Sequence, residues 1–351
     1  MISPSTRFTL IVGAGASHAF GLPLGAGLRT ILAKELDIRF DHFGSRLESG
    51  SYDIVEAIRL LVRQRDAGQG SINPHRQAAV QIAESMPFSS SIDEYVERHR
   101  DNSLKSECAK LGIGKAILDA ERSSSLFPKD NGEKRSPIEN ATGSWIAAFL
   151  RDVTRGLTRS DIPSAMQQFS VINFNYDRCF EVFVLHWLQR VYEFSESEAW
   201  EIVSMIPIWH PYGTLGSLRT GSENEPIPFG AEPRPHRLLS IMHRIRTYSE
   251  AFDVGQDRDR AIQLLMGSGK LVFLGFGFHK QNMDLLELPK GSSRATFRCY
   301  ATAKDLPNAT WQICRERIRK SLNVANDGLF LESSPSTCEA FWNEFGETII
   351  S

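Results

Sequence analysis

A short apolar strand followed by two closely spaced glycines stands near the start of the chain. Residues 8–12 are apolar or β-branched, which predicts a buried strand. Gly13 and Gly15 follow directly, and glycine permits a tight turn in which backbone N–H groups approach a ligand closely. We expect a helix to begin after this turn, and a helix N-terminus favours an anionic phosphate. Strand, glycine turn and helix in this order are typical of a dinucleotide-binding site.

The spacing differs from the two common phosphate-binding fingerprints. The dehydrogenase type has glycine at the sixth position, where this chain has His18, and an acidic residue that ends a second strand. Glu35 and Asp37 stand at about the right distance, but they lie at the end of a predicted helix at 28–36 and not at the end of a strand. The Gly-Ser-Gly-Lys run at 267–270 lacks both the earlier glycine and the following Ser or Thr of a P-loop.

Three polar residues follow two further predicted strands. Asn175 and Asp177 come shortly after a strand at 170–173, and His210 ends a strand at 206–209. Carboxyl ends of parallel strands form the crevices in which ligands bind, and an imidazole with its ordinary pKa near 6.5 suits a general base. Each residue also suits a structural role. Asn175 and Asp177 could cap a following helix, and His210 could be a hydrogen-bonded core residue.

These segments, in this order, resemble the sirtuins, the silent-information-regulator family of deacylases and NAD hydrolases. The resemblance covers the opening glycine signature, the central Asn-x-Asp element, the His-Gly element and a later glycine turn that holds the adenosine half of NAD. The matching segments are Gly13-Ala-Gly-Ala-Ser17 with Gly21-Leu-Pro23, Asn173-Phe-Asn-Tyr-Asp177, His210-Pro-Tyr-Gly213 with Gly216-Ser217, and Gly275-Phe-Gly277.

The resemblance implies that the chain binds NAD⁺ as a substrate. The first turn would hold the pyrophosphate and the later turn would let the backbone approach the adenine ribose. The implied NAD-binding residues are Gly13, Ala14, Gly15, Ser17, Pro23, Gly275 and Gly277.

The resemblance also implies three catalytic residues. Asn175 would position water or the nicotinamide ribose, and Asp177 would contact nicotinamide or orient the loop. His210 would deprotonate a ribose hydroxyl or the acceptor. Cleavage of the bond between nicotinamide and ribose builds positive charge on the ribose carbon, so the transition state is oxocarbenium-like, as in glycoside hydrolysis.

Departures from the family pattern favour plain NAD hydrolysis over protein deacylation. The usual Asp-Phe-Arg after Gly-x-Pro is replaced by Leu-Gly-Ala-Gly-Leu-Arg at 24–29, and Phe174 stands where the family usually has Gln. Deacylating sirtuins usually carry a four-cysteine zinc ribbon. This chain has five cysteines with no Cys-x-x-Cys spacing, so we expect no zinc and five reduced thiols.

Composition indicates an ordinary globular protein. Of 351 residues, 41% are hydrophobic and 23% charged, and the net charge of −2 gives no electrostatic case for direct nucleic-acid binding. No signal peptide is recognisable and no stretch approaches 18 apolar residues, so we expect a cytoplasmic protein without a membrane segment.

Alternating strands and helices after residue 170 predict an α/β fold. We expect a Rossmann-like parallel sheet with helices on both faces, formed by residues 1–40 and 168–351. Residues 41–167 are predicted to form a mainly helical insertion or cap that gates the site. Asp93 and Tyr95 are its candidates for facing the ligand; the alternative is that Asp93 favours a helix N-terminus and Tyr95 is core.

The resulting hypothesis is an NAD⁺ glycohydrolase that releases nicotinamide and ADP-ribose. The chain is similar to sirtuin-like effectors of bacterial antiphage defence, which act by NAD depletion. That likeness implies a homo-oligomer and a partner such as a HerA-type ATPase. Two alternatives stay open: an NAD-dependent protein deacylase or ADP-ribosyltransferase, and a non-enzymatic NAD or ADP-ribose sensor subunit.

Overall fold

A computed structural model describes residues 7–66, 70–128, 136–219, 225–253, 255–291 and 296–351. This part of the chain contains eight strands: β1 (Phe8–Val12), β2 (Arg39–Phe40), β3 (Leu47–Ser49), β4 (Phe169–Asn173), β5 (Ile208–Trp209), β6 (Lys270–Leu274), β7 (Phe297–Thr302) and β8 (Leu329–Ser334).

Sixteen α-helices lie in the same described ranges. They are α1 (Ala14–Ser17), α2 (Gly25–Glu35), α3 (Tyr52–Arg65), α4 (Asn73–Ser85), α5 (Ile92–Arg98), α6 (Ser103–Ser123), α7 (Trp145–Val153), α8 (Ile162–Ala165), α9 (Cys179–Tyr192), α10 (Glu196–Met205), α11 (Pro235–Met242), α12 (Tyr248–Asp253), α13 (Gly255–Met266), α14 (Lys280–Leu285), α15 (Asn308–Ser321) and α16 (Cys338–Ile350).

Six of the strands form one parallel sheet in the order β5-β4-β1-β6-β7-β8, while β2 and β3 form a separate antiparallel pair. Numbered along the chain, the six strands have the order 3-2-1-4-5-6 of the doubly wound dinucleotide-binding fold. The prediction of a Rossmann-like parallel sheet flanked by helices is therefore confirmed. The strand order reverses at β1, which lies between β4 and β6.

The three central strands end level with one another. In the register of the sheet, Val12 lies opposite Asn173 on one side and Leu274 on the other. All residues of β1 and β4 are buried, as expected for parallel strands covered on both faces. Because the strands end together, the turns that begin at Gly13, Phe174 and Gly275 share one edge of the sheet.

The chain divides into two compact units. The sheet unit comprises Met1–Phe20, Pro128–Pro211 and Phe252–Ser351, and the helical unit comprises Gly21–Phe127 and Tyr212–Ala251. These boundaries differ from the predicted ones, which assigned residues 21–40 and 212–251 to the sheet domain and 128–167 to the insertion.

Helix packing explains the difference. In the helical unit, α2 packs on α6, where the absence of a side chain at Gly112 makes room for Leu32. Helix α11 packs on the same helix, with Ile241 against Gly114. In the sheet unit, α7 packs on α16, with the Phe149 and Trp342 rings 5.1 Å apart in a T-shaped arrangement.

The strands predicted after residue 170 have close counterparts. The sequence pattern predicts one helix at 237–252, whereas the structure has two, since α11 ends at Met242 and α12 begins at Tyr248. The sequence analysis predicts no helix at the positions of α4, α8, α10, α14 and α16. The loop predicted at 122–143 falls partly outside the described residues, at 129–135.

Tyr95 belongs to the interior of the helical unit. Its side chain is buried, its ring lies 4.3 Å from that of His99, and the Lys105 ammonium lies 5.4 Å from its centroid. Ser91 caps the helix by accepting a hydrogen bond from the Glu94 N–H. Of the two predicted roles for Tyr95, the structure therefore supports the core position. Across the described residues, none of the helices is both long and apolar enough to span a bilayer.

Candidate functional site

The two glycine turns pack directly on each other. A Cβ atom at Gly13 would lie 2.7 Å from the carbonyl oxygen of Gly275, and one at Gly15 would lie 2.7 Å from the Gly275 Cα. Gly275 itself has φ of +56°, and a Cβ there would collide with the backbone nitrogen of Ala16. Glycine is required at these three positions because two backbone segments meet without space for a side chain.

Most backbone donors of the first turn are used within the protein. The Gly13 N–H donates to Leu274 O at 3.0 Å, and the Gly15 N–H donates to Gly275 O at 2.9 Å. The helix α1, which begins after the first glycine as predicted, is only four residues long and continues as a 3₁₀ turn over His18–Phe20. The Ala14 N–H makes no hydrogen bond within the described part of the chain, and it is the donor in this turn left for a ligand.

A buried polar network joins the end of β4 to the first turn. The side-chain amide of Asn175 donates to Gly13 O and to Ser17 Oγ, both at 3.0 Å. Ser17 Oγ in turn donates to Asp177 Oδ1 at 3.0 Å. The three side chains belong to residues that are 7% exposed or less. The structure therefore brings Ser17 together with Asn175 and Asp177, which lie 158 and 160 positions later in the sequence.

Asp177 also has the structural role that the sequence allowed. Its Oδ1 accepts a hydrogen bond from the Cys179 N–H at 3.1 Å, which caps the first turn of α9. The Asn175 side chain, in contrast, is turned toward the first glycine turn. The backbone N–H of Asn175 donates to Asn173 Oδ1 at 3.1 Å, which holds the turn after β4 in place.

His210 follows β5 and is held at both ring nitrogens. Nδ1 lies 3.2 Å from the carbonyl oxygen of Asn175, which can only accept, so Nδ1 carries a proton. Nε2 lies 2.8 Å from Glu181 Oε1. The side chains of His210 and Glu181 are only 11% and 15% exposed. The imidazole thus links the turn after β4 to the first turn of α9.

The pair shifts the pKa of each partner. Burial disfavours the imidazolium, but the Glu181 carboxylate and its hydrogen bond outweigh burial, and the pKa of His210 lies above its usual value. Burial likewise opposes the Glu181 carboxylate, but the charge of His210 outweighs it and the pKa of Glu181 lies below its usual value. Both shifts act in the same direction, since each favours an imidazolium paired with a carboxylate.

Glu181 was missed by the sequence analysis. The signal available was its position in the first turn of the helix that follows the Asn-x-Asp element. An acidic residue there is ordinarily explained by the helix dipole. Its contact with His210 depends on the packing of β5 beside α9, which no local pattern reveals.

Aromatic packing joins the turns after β4 and β6. The rings of Phe174 and Phe276 meet in a T-shaped contact with centroids 5.0 Å apart, and both residues are buried. Phe174 is the residue that stands in place of the family's usual Gln. Its ring therefore fills an apolar contact between two turns at the carboxyl edge of the sheet.

Pro23 and Gly277 are two further predicted NAD-binding residues. Pro23 belongs to the helical unit. Gly277 is in the sheet unit but is exposed, and a Cβ there would lie 2.9 Å from the His279 ring. The sheet unit places eight predicted residues after the ends of β1, β4, β5 and β6. They are Gly13, Ala14, Gly15, Ser17, Asn175, Asp177, His210 and Gly275.

The described residues include no cluster of three or more His, Cys, Asp or Glu side chains arranged to hold a metal ion. All five cysteines are buried, and none of them forms a disulfide with another described residue. Comparison with protein-family models and with curated proteins finds no match to this chain. The likeness to the sirtuins therefore stays a prediction based on the four sequence segments.

Proposed function

We propose that this chain is an NAD⁺ glycohydrolase, which cleaves NAD⁺ to nicotinamide and ADP-ribose. The observation that carries the proposal is the network of Asn175, Asp177 and His210 at the carboxyl edge of the sheet. It lies beside the strand at which the order of the sheet reverses. In doubly wound sheets, ligands bind in the crevice outside the carboxyl ends of the strands at this switch point.

The turns after β1 and β6 support a dinucleotide as the ligand. They meet through glycine backbones, which brings both turns to one point of the carboxyl edge of the sheet. The Ala14 N–H is the donor we assign to the pyrophosphate. In this proposal the remaining N–H groups of the turn keep their protein partners and maintain its shape.

Hydrolysis requires an attacking water, a departing nicotinamide and an acceptor for one proton. Water attacks the ribose carbon, the bond to nicotinamide breaks with its electron pair going to nicotinamide, and the water proton goes to a base. We assign the base to His210 Nε2, which must part from Glu181 and be neutral to accept a proton. Asn175 would orient the water or the ribose, and Asp177 would hold Asn175 in place through Ser17.

Hydrolysis is favoured over protein deacylation by the sequence around the site. The chain lacks the cysteine spacing of a zinc ribbon, and residues 24–29 replace the family's usual Asp-Phe-Arg. A cellular NADase of this kind would act by NAD depletion, so we also propose the role implied by the resemblance, an effector of bacterial antiphage defence. Such an enzyme needs control, which is the basis for proposing a homo-oligomer and a partner of the HerA-type ATPase class.

Incubation of the purified chain with NAD⁺ tests the proposal. Nicotinamide and ADP-ribose should form in equal amounts, with water as the only acceptor. An acetyl-lysine peptide should not increase nicotinamide release, whereas a deacylase would require it and would form O-acetyl-ADP-ribose. NAD⁺ binding without nicotinamide release, under all of these conditions, would support a sensor instead.

A further inference from the structure

The His210–Glu181 pair leaves neither nitrogen of the imidazole free. Nδ1 donates to the Asn175 carbonyl at 3.2 Å, and Nε2 faces Glu181 Oε1 at 2.8 Å. A general base needs an unprotonated nitrogen directed at its substrate. In the arrangement described, the nitrogen that would serve as base is instead bonded to a carboxylate.

The proton count of the pair follows from its contacts. Because the carbonyl of Asn175 fixes the Nδ1 proton, a neutral His210 would direct the Nε2 lone pair at the Glu181 carboxylate. That arrangement places two acceptors together, so the bond at 2.8 Å requires a proton between them. Glu181 therefore favours the protonated ring for as long as the pair is closed.

The surroundings make this effect strong. Both side chains are more than four-fifths buried, and Glu181 Oε2 is buried without a hydrogen-bond partner among the residues that the structure describes. The Glu181 charge is thus compensated mainly by His210, with a contribution from the nearby Arg178. Asp177 adds a second negative charge near His210, which acts in the same direction as Glu181.

We propose that Glu181 is a positioning residue that holds His210 protonated and engaged, so that loss of this proton as the pH rises switches the site on. The predicted effect on activity rests on the proposed function, whereas the predicted effect on protonation of the His210 ring rests on the structure alone. When the proton leaves, the attraction between Nε2 and Glu181 becomes repulsion. The ring is then neutral and its Nε2 is released to accept a proton from water or a ribose hydroxyl.

The direct test is the titration of His210 by NMR with ring-labelled histidine. The chain has nine histidines, and the His210 signal is assigned by its loss in His210→Ala. In the unaltered chain the His210 ring should titrate above the usual value of 6.5. In Glu181→Gln its midpoint should fall by about one pH unit or more, because an opposite charge in contact is removed while burial remains.

A matched control is available in the helical unit. His75 Nε2 lies 3.0 Å from Glu107 Oε2, so Glu107→Gln removes a carboxylate from another buried histidine. It should leave the His210 midpoint unchanged. An equal midpoint for His210 in the unaltered chain and in Glu181→Gln would overturn the proposal. If Glu181→Gln does not fold, a His210 midpoint below 6.5 in the unaltered chain would also overturn the proposal. The variant Glu181→Asp retains the charge, so its His210 midpoint should stay above that of a free histidine.

The second readout is the pH profile of nicotinamide release from NAD⁺. Activity should rise with pH through the titration of His210, and Glu181→Gln should move this acid limb to lower pH by the same amount as the NMR midpoint. If the NMR midpoint moves but the chain releases no nicotinamide, the pair is as proposed and the NADase assignment fails. If nicotinamide is released and neither midpoint moves, the NADase assignment stands and the role of Glu181 is refuted.

Discussion

The Asn175 side-chain amide lies 3.0 Å from the carbonyl oxygen of Gly13. This hydrogen bond joins the end of β4 to the end of β1, two strands separated by about 160 residues of sequence. It lies at the carboxyl edge of the sheet, beside β1, the strand at which the strand order reverses. The sequence allowed Asn175 to be a site residue or a helix cap. In the structure its side chain connects the turn after β4 to the turn after β1.

Ser17 should stabilise the position of the Asn175 side chain through a second hydrogen bond. Its hydroxyl accepts from Asn175 and donates to Asp177, and the residue is 5% exposed. Replacement by Ala removes one hydrogen bond from the buried Asn175 amide and one from the buried Asp177 carboxylate. Ser17→Ala should therefore lower the free energy of unfolding by about 1–3 kcal/mol. Urea unfolding measures the change. Ser204→Ala, which removes an exposed hydroxyl bonded only within its own helix, should change it by less than about 0.5 kcal/mol. Equal effects of the two variants would contradict the network.

The contact of the two glycine turns predicts a large difference between two glycine substitutions. Gly275 and Gly291 both have positive φ, of 56° and 85°, so Ala is strained at either position. At Gly275 the new Cβ would also meet backbone atoms, while at Gly291 no atom of the described residues beyond its chain neighbours lies within 4 Å of it. Gly291→Ala should cost about 1 kcal/mol of stability and Gly275→Ala at least about 3 kcal/mol. Similar urea midpoints for the two variants would show that the turns do not pack as described.

Local sequence patterns were sufficient for some elements of the sheet unit. The apolar run at 270–274 predicts a strand and residues 179–192 predict a helix, and the structure has these elements with the same bounds. The edge of the sheet where Asn175 and His210 meet also followed from the sequence, since each residue comes directly after a predicted strand.

Features that depend on tertiary packing were not predictable in this way. The assignment of α2 to the helical unit depends on its fit against Gly112, a residue 80 positions from Leu32. The pairing of Glu181 with His210 depends on the distance between α9 and β5. The first glycine turn was predicted to bind phosphate, but the N–H groups of Gly13 and Gly15 donate to the end of β6 and to the turn after it. Glycine allows a backbone to approach a ligand or another backbone equally well, so the sequence does not distinguish the two.

The His210–Glu181 pair should make stability depend on pH. The pKa of His210 is raised above 6.5, so its stabilisation is complete below about pH 6.5 and is lost as the pH rises through the raised value. The pKa of Glu181 is lowered from 4.5, so its stabilisation is present above pH 4.5 and is lost as the pH falls through the lowered value. The pair should therefore stabilise most between pH 4.5 and 6.5.

Urea unfolding of the unaltered chain and of Glu181→Gln at several pH values measures this effect. The difference between their unfolding free energies should be largest near the middle of that window and should shrink toward pH 9. The control is Glu344→Gln, which removes an exposed carboxylate and should give a small difference at every pH. A difference for Glu181→Gln that does not vary with pH would show that the two groups do not share a proton in the folded chain.

The central claim is that Asn175 and His210 are the catalytic residues of an NAD⁺ glycohydrolase, and nicotinamide release from NAD⁺ by matched variants tests it most directly. Asn175→Ala and His210→Ala should each lower release by at least about 100-fold while the chains remain folded at the assay temperature. His210→Ala is also made together with Glu181→Gln, so that no buried carboxylate is left without its partner. The control His186→Ala, a half-buried histidine of α9 bonded to Gln189, should retain activity. Nicotinamide release at the unaltered rate by both Asn175→Ala and His210→Ala would contradict the claim.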